Sequence, residues 1–286
     1  MSFINFLKPV SKDETKKAIE KTIPINIIDT GESAESTKDF TLKTYFDSMG
    51  IEMSLSNKNE CVSSIEKIAN FISTNFDNIK GFLHYIREVI PQKSYKLSYS
   101  TSELSDEEYA NTLETFNLFC EYGIITNGYV NKYTKTLCGY LSSAPRVNGF
   151  VTGGYLEIFA KSVCQQIVEK LAEEKNCDYE LYHNVIVTKE NKKHELDIVF
   201  RIEDKVFWSE IKSGKNFSDY DYYRRIGLFL GVNPDRHILL TAEKDSPEAI
   251  EAISWFYEYY VCNISTFKET LIQMINNAFE GGSNND

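Results

Sequence analysis

Apolar residues recur along this chain at two periods, three to four residues in some stretches and two in others, and the change-overs mark out its elements. From Glu60 to Val89 the helical period holds. Ile65, Ile68, Phe71 and Ile72 share one face, and a second helix from about Asn78 carries Ile79, Phe82, Leu83 and Ile86. Pro91 marks its end. A further helix follows Ser105, a hydroxyl cap succeeded by Asp106, Glu107 and Glu108, whose charges suit the positive end of the helix dipole. It runs through Tyr109, Leu113, Phe116, Leu118 and Phe119 to Gly123. Asn127-Gly128 then suits the tight turn of a hairpin, because both residues tolerate positive φ. Leu156, Phe159, Val163, Ile167 and Leu171 predict a buried stripe on a helix over 155–175, entered through a flexible Gly153-Gly154 pair. Beyond it YELYHNVIV reads as a strand, 194–215 as two more, 219–231 as a helix and RHILLT as a buried strand. A closing helix over 247–263 has Pro247 at its start. That order predicts an α/β core, a mixed sheet flanked by helices.

Four regions follow. Residues 1–94 form a mainly helical N-terminal region of undetermined role, with an amphipathic helix within 1–20, a strand at 23–29 and a polar loop at 30–39. The pattern of 41–55 fits helix and strand equally. Residues 95–150 form a winged-helix-like unit, since a helix followed by an Asn-Gly hairpin is the tail of that motif. It reads either as a nucleic-acid-binding wing or as a packing or dimerisation element, there being no basic recognition helix. Residues 151–280 hold the α/β core, and 281–286 form a tail expected to be disordered.

At 286 residues and 42% hydrophobic content the chain has room for two domains and a proper core. Its six cysteines show no C-x-x-C spacing and sit among mostly apolar residues, which reads as free thiols in a reducing cytoplasm. The first residues lack a basic segment followed by a long apolar run, and no stretch is long enough to span a bilayer. A cytoplasmic protein with no membrane partner is expected.

The chemistry concentrates in 194–215, HELDIVFRIEDKVFWSEIKSGK, where acids stand at positions that a buried sheet fills with apolar residues. Alternation sends Leu196, Ile198, Phe200 and Ile202 to one face and Asp197, Val199 and Arg201 to the other. On the next strand Val206, Trp208, Glu210 and Lys212 share a face, opposite Phe207, Ser209 and Ile211. With Glu203-Asp204 as a two-residue loop, Ile202 pairs with Lys205 and Asp197 falls across from Glu210. A slip of one residue would separate them. Two carboxylates at cross-strand distance require something positive between them, and a divalent cation held by carboxylate oxygens supplies it. Lys212 lies one alternation beyond, within reach of a phosphate oxygen.

Asp197, followed after a short hairpin by Glu210-Ile211-Lys212, resembles the core motif of the PD-(D/E)XK nuclease superfamily, metal-dependent phosphodiesterases with a restriction-endonuclease-like fold. Leu196 stands where that motif conventionally has Pro. Glu157, in GGYLEIFAKSVCQQ, sits where the superfamily often adds an acid on the helix ahead of the core. More narrowly, GGYLE, HELDIVF and EIKSGK are similar to the nuclease half of the CRISPR ancillary endonucleases that carry a cyclic-oligoadenylate-sensing domain. The resemblance covers roughly residues 95–262. The residues before it are too few and too helical for the sensor, which is expected to be absent. The resemblance implies an endonuclease acting on nucleic acid, DNA before RNA, in defence against mobile elements or by them. It implies that Asp197, Glu210 and the main-chain carbonyl of Ile211 bind Mg²⁺ or Mn²⁺, with Glu157 as an outer or second-metal ligand. Lys212 would orient the nucleophile and stabilise the phosphate. A homodimer is expected.

The net charge of −11 sits awkwardly with a phosphate polymer as partner. Basic residues nonetheless cluster at Lys212, Lys215, Arg224 and Arg225, with Lys189, Lys192 and Lys193 ahead of them. Weak non-specific affinity and strong dependence on a metal or a partner are expected. Lys215, Arg224, Arg225 and His194 are the candidate nucleic-acid contacts. Tyr220, Tyr222 and Tyr223 could stack bases, although aromatic residues on a helix are more often core. A lone histidine at a strand edge, such as His183 or His194, has a duller reading as a hydrogen-bonded residue. Two alternatives stay open: a nuclease-fold module that binds without cutting, and an acidic mimic of nucleic acid.

Overall fold

The computed structural model describes residues 40–55, 62–214, 217–242 and 246–280. Its elements begin with α1 (Leu42–Ser48), β1 (Glu52–Leu55), α2 (Ser63–Thr74), α3 (Phe76–Val89), β2 (Lys96–Ser100) and α4 (Asp106–Glu121). There follow β3 (Ile125–Asn131), β4 (Thr136–Leu141), α5 (Pro145–Gly149), a π-helical turn (Phe150–Gly154) and α6 (Tyr155–Lys175). The rest comprises β5 (Tyr179–Lys189), β6 (Lys192–Ile202), β7 (Lys205–Lys212), α7 (Tyr220–Phe229), β8 (His237–Thr241), α8 (Pro247–Tyr257), β9 (Tyr260–Cys262) and α9 (Phe267–Glu280). The helix expected within 1–20, the strand at 23–29, the loop at 30–39, Cys61, Lys215 and the tail 281–286 lie outside the described residues. Among the described residues no helix is long and apolar enough to cross a membrane.

The architecture is α/β. A six-stranded sheet runs in the order β1-β5-β6-β7-β8-β9, antiparallel as far as β7 and parallel from β7 to β9. Helices α6 and α9 cover one face, where Ile198, Phe200, Phe207 and Ile211 meet Leu156, Ile167, Leu271 and Ile275. Helices α1 and α7 cover the other with Leu42, Phe46 and Ile226 against Val185, Val199 and Trp208. Helix α8 packs Ile250 and Ile253 near Leu239 and Val261. A second, three-stranded sheet in the order β2-β4-β3 lies within residues 95–150. Its inner side meets α3 and α4 through Leu97, Ile125, Leu137, Phe82, Phe116 and Phe119, and this core continues unbroken into α2 and α6.

Several elements depart from the sequence reading, each for a physical reason. The undecided stretch 41–55 is both helix and strand: Thr41 caps α1 in a capping box, and β1 then adds to the main sheet through β5. Asn127-Gly128 is not the hairpin turn. It lies inside β3 at a register shift between Thr126 and Tyr129, with Asn127 at φ 51°. A β-carbon on Gly128 would come within 2.3 Å of Cys120 Sγ, so the strand comes too close to α4 there for any side chain. The buried stripe of α6 is Leu156, Ala160, Cys164, Ile167, Val168 and Leu171, while Phe159 and Val163 are only half-buried. The small Ala160 and Cys164 suit the close packing of helix on sheet. Gly153 is packed, not loose: a β-carbon there would meet Ser213 Oγ at 2.4 Å. The closing helix stops at Tyr257, where Glu258 takes a left-handed φ of 60°, and the Tyr-Val-Cys run after it is a strand leading to α9.

One departure bears on the site. Leu196 packs with Val185, Val187 and Val199, on the face opposite Ile198 and Phe200. Strict alternation breaks at Asp197 because its partner on β5, Asn184, takes a φ of 53° and drops out of the ladder between His183↔Ile198 and Val185↔Leu196. The kink places Asp197 where the two faces meet.

Candidate active site

The β6–β7 hairpin turns through Glu203-Asp204 with Ile202 paired to Lys205. Glu203 sits at φ 54°, a left-handed conformation costing a side chain about 1–2 kcal/mol, and the surroundings hold it. Its N–H donates to the Asp178 carbonyl at 2.9 Å, and Arg201 Nη1 donates to its carbonyl at 3.1 Å. Arg201 is itself fixed by Glu180, Nε to Oε1 at 2.8 Å. The ladder then runs without slip to Ile198↔Ser209. One step further, Asp197 stands across from Glu210, and its carboxylate takes over the next bond: Ile211 N–H donates to Asp197 Oδ2 at 2.8 Å.

Glu210 is 3% exposed. The Lys212 ammonium lies against Glu210 Oε1, 3.1 Å from the Ile211 carbonyl oxygen and 3.8 Å from Asp197 Oδ2. It also sits 5.1 Å over the ring of Tyr223 from α7. The exit of the strand is pinned as well. Ser213 Oγ donates to the Thr152 carbonyl at 2.9 Å, and Arg87 Nη1 of α3 donates to the Ser213 carbonyl at 3.2 Å.

Burial pushes the Glu210 carboxyl up to about 8, the Asp197 charge pushes the same way, and Lys212 pulls against both. For Lys212 burial disfavours the charge, yet the Glu210 and Asp197 carboxylates outweigh it and hold the ammonium above its ordinary range. Burial, then Glu210, raises the Tyr223 phenol to about 12.

Whether these residues suit a divalent cation can be read from the oxygens themselves. Glu210 Oε2 is buried without a hydrogen-bond partner. The three oxygens around the Lys212 ammonium are the three assigned above to a cation: two carboxylates and a carbonyl. An all-oxygen set that gathers a positive charge fits hard divalent ions such as Mg²⁺ and Mn²⁺. Among the described residues no three His, Cys, Asp or Glu side chains form a metal-sized group, so Glu157 does not join Asp197 and Glu210 in one. Glu157 lies exposed in the first turn of α6 and lines, with Asp197, His183 and Asn184, a cavity of about 520 Å³.

Solved proteins share the fold. The structure is similar to protein VC1899 from Vibrio cholerae, with a TM-score of 0.60 and 14% identity over 89% of this chain and 66% of that one. It is similar also to Can2 from Sulfobacillus thermosulfidooxidans, solved in complex with cyclic tetra-adenylate, with a TM-score of 0.60 and 16% identity over 86% of this chain and 64% of that one. The chain therefore spans just under two thirds of the length of each. No protein-family model and no curated protein sequence matches it.

The other sequence candidates are placed differently. Arg224 is paired with Glu258 at 2.7 Å and Arg225 with Asp221 at 3.0 Å, so both guanidinium groups already hold carboxylates. His194 Nδ1 lies 3.2 Å from the Tyr222 hydroxyl, its ring against Phe229. Of the three tyrosines, Tyr220 is buried, Tyr222 holds His194 and Tyr223 reaches the site. Arg146 and Lys161, which line the same cavity as Asp197, had escaped notice. For Arg146 the signal was there: no acidic residue lies between Glu121 and Glu157.

Proposed function

We propose that this chain is a metal-dependent nuclease that hydrolyses phosphodiester bonds, with DNA ahead of RNA as substrate, in the setting of defence against mobile elements. The observation that carries the reading is the cluster of Asp197 Oδ2, Glu210 Oε1 and the Ile211 carbonyl around one positive charge, with Glu210 Oε2 left over. The sequence motif and the fold shared with Can2 support it. Asp197, Glu210 and the Ile211 carbonyl would hold Mg²⁺ or Mn²⁺. When bound, the ion would supply Lewis-acid stabilisation of the phosphate and an activated water. The Ile211 N–H bond keeps the Asp197 carboxylate turned toward the cluster. Lys212 brings a positive charge to where negative charge grows on the phosphate, and Glu157 faces the same cavity from α6. The test is incubation of the purified chain with Mn²⁺ or Mg²⁺ and single- and double-stranded DNA and RNA. Cleavage that needs the cation supports the reading, and no cleavage of any substrate overturns it.

A second reading, a module that binds nucleic acid without cutting, draws on the net charge of −11 and on the position of Glu157 outside the carboxylate pair. Binding with no product under any cation would favour it.

A further inference from the structure

The outer face of the three-stranded sheet displays what such a sheet usually hides. Across it the registers set Lys96, Tyr140 and Thr126 in one row and Ser98, Cys138 and Tyr129 in the next. Tyr129 is 59% exposed and Tyr140 46%, beside short side chains that leave room for a flat ligand. Tyr129 owes its place to the Asn127-Gly128 bulge. Odd and even positions point oppositely, so Thr126 and Tyr129 share a face only because β3 gains a residue between them.

The β3–β4 segment runs against the rest of the chain in charge. Aspartate and glutamate make up 42 of the 286 residues, yet none lies between Glu121 and Glu157, where Lys132, Lys135 and Arg146 are found. Lys132 and Lys135 belong to the tip of the β3–β4 hairpin, between Asn131 and Thr136. At its base Tyr122 and Ile124 line the cavity that contains Arg146 and Asp197. The lysines at the tip and the cavity-lining residues at the base thus adjoin one hairpin.

We infer that this face is a stacking platform for an unpaired stretch of nucleic acid, whose bases lie on Tyr129 and Tyr140 while the lysines meet its phosphates. Every base has a π face and duplexes bury theirs, so exposed aromatics on a sheet favour unpaired strands. The inference deepens the nuclease reading and rests on it for the identity of the polymer.

The test uses the full chain in EDTA, so that binding is measured without cutting, with labelled oligothymidylate and oligouridylate of about 15 nucleotides and a duplex of equal length. Single strands should bind better than duplex, and Tyr129→Ala with Tyr140→Ala should weaken them about tenfold or more with an unchanged far-ultraviolet dichroism spectrum. The DNA and RNA arms tell the two sources apart. Equal binding by parent and double variant overturns the inference, as does equal affinity for duplex, or a variant that alters only self-association. With Mg²⁺ restored, a double variant that cuts with unchanged KM overturns the platform and leaves the nuclease reading standing. A parent that binds through the tyrosines and never cuts supports the platform and defeats the nuclease reading.

Discussion

Two hairpins of this protein carry their residues inside out, in opposite senses. The β6–β7 hairpin buries charge: Glu210 lies almost fully inside and Lys212 is held over a carboxylate pair. The β3–β4 hairpin exposes aromatic rings that would stabilise a core. In each case a break in regular pairing supplies the placement, the Asn184 kink beside Asp197 and the Asn127-Gly128 bulge before Tyr129. The first arrangement is rigid and expensive, because buried charges tolerate no missing partner. The second is cheap, because exposed rings lose little when removed. Both hairpins therefore set misplaced residue types next to a backbone irregularity, and the nuclease and platform proposals expect opposite sensitivity to mutation in the two.

That contrast orders the expected effects. Asp197→Asn, Glu210→Gln or Lys212→Ala should each lower cleavage by about 10²–10³-fold or more, measured as initial rate on a labelled substrate, with an unchanged dichroism spectrum. Full activity in any of them breaks the site. Lys212→Ala should also destabilise the cation-free chain by about 3 kcal/mol, since it strips the carboxylates of their counter-charge, and Mn²⁺ should restore much of the loss in a melting experiment.

The pH response comes next. The Glu210 carboxyl, raised to about 8 from an ordinary 4.5, makes the cation-free fold hold more protons than the unfolded chain between those values. Its contribution to stability is whole below 4.5 and is lost as pH rises through about 8. Cation-free Tm should fall across that window, and the fall should flatten in Glu210→Gln. Gly153→Ala should cost about 1–3 kcal/mol and reduce activity, because the added carbon displaces Ser213, next to Lys212. Smallest of all, Tyr129→Ala should shift stability by no more than about 0.5 kcal/mol, and a larger loss of Tm would mean that the ring is structural.

The β6–β7 register was legible in the sequence because a two-residue turn leaves one pairing, and the chain adopts it from Ile202↔Lys205 to Ile198↔Ser209. What was hidden depended on partners distant in sequence. Leu196 changes face because of Asn184 on another strand, and no pattern within β6 contains that. Arg224 read as a free cation until the fold brought Glu258 to it. The pairing of β1 with β5 was equally beyond local reading, since four residues with three exposed carry almost no periodic signal. Asn127-Gly128 misled because the same positive φ serves a turn and a bulge, and only the contact with Cys120 decides between them.

The most direct measurement is Mn²⁺ titration of the purified chain, following the free ion by electron paramagnetic resonance, with Asp197→Asn and Glu210→Gln alongside. The parent should bind Mn²⁺ more tightly as pH rises from 6 toward 8, because the ion must expel the Glu210 proton, and both variants should lose that binding. Undiminished binding in both variants, or none in the parent, would contradict a cation site at the Asp197–Glu210 pair.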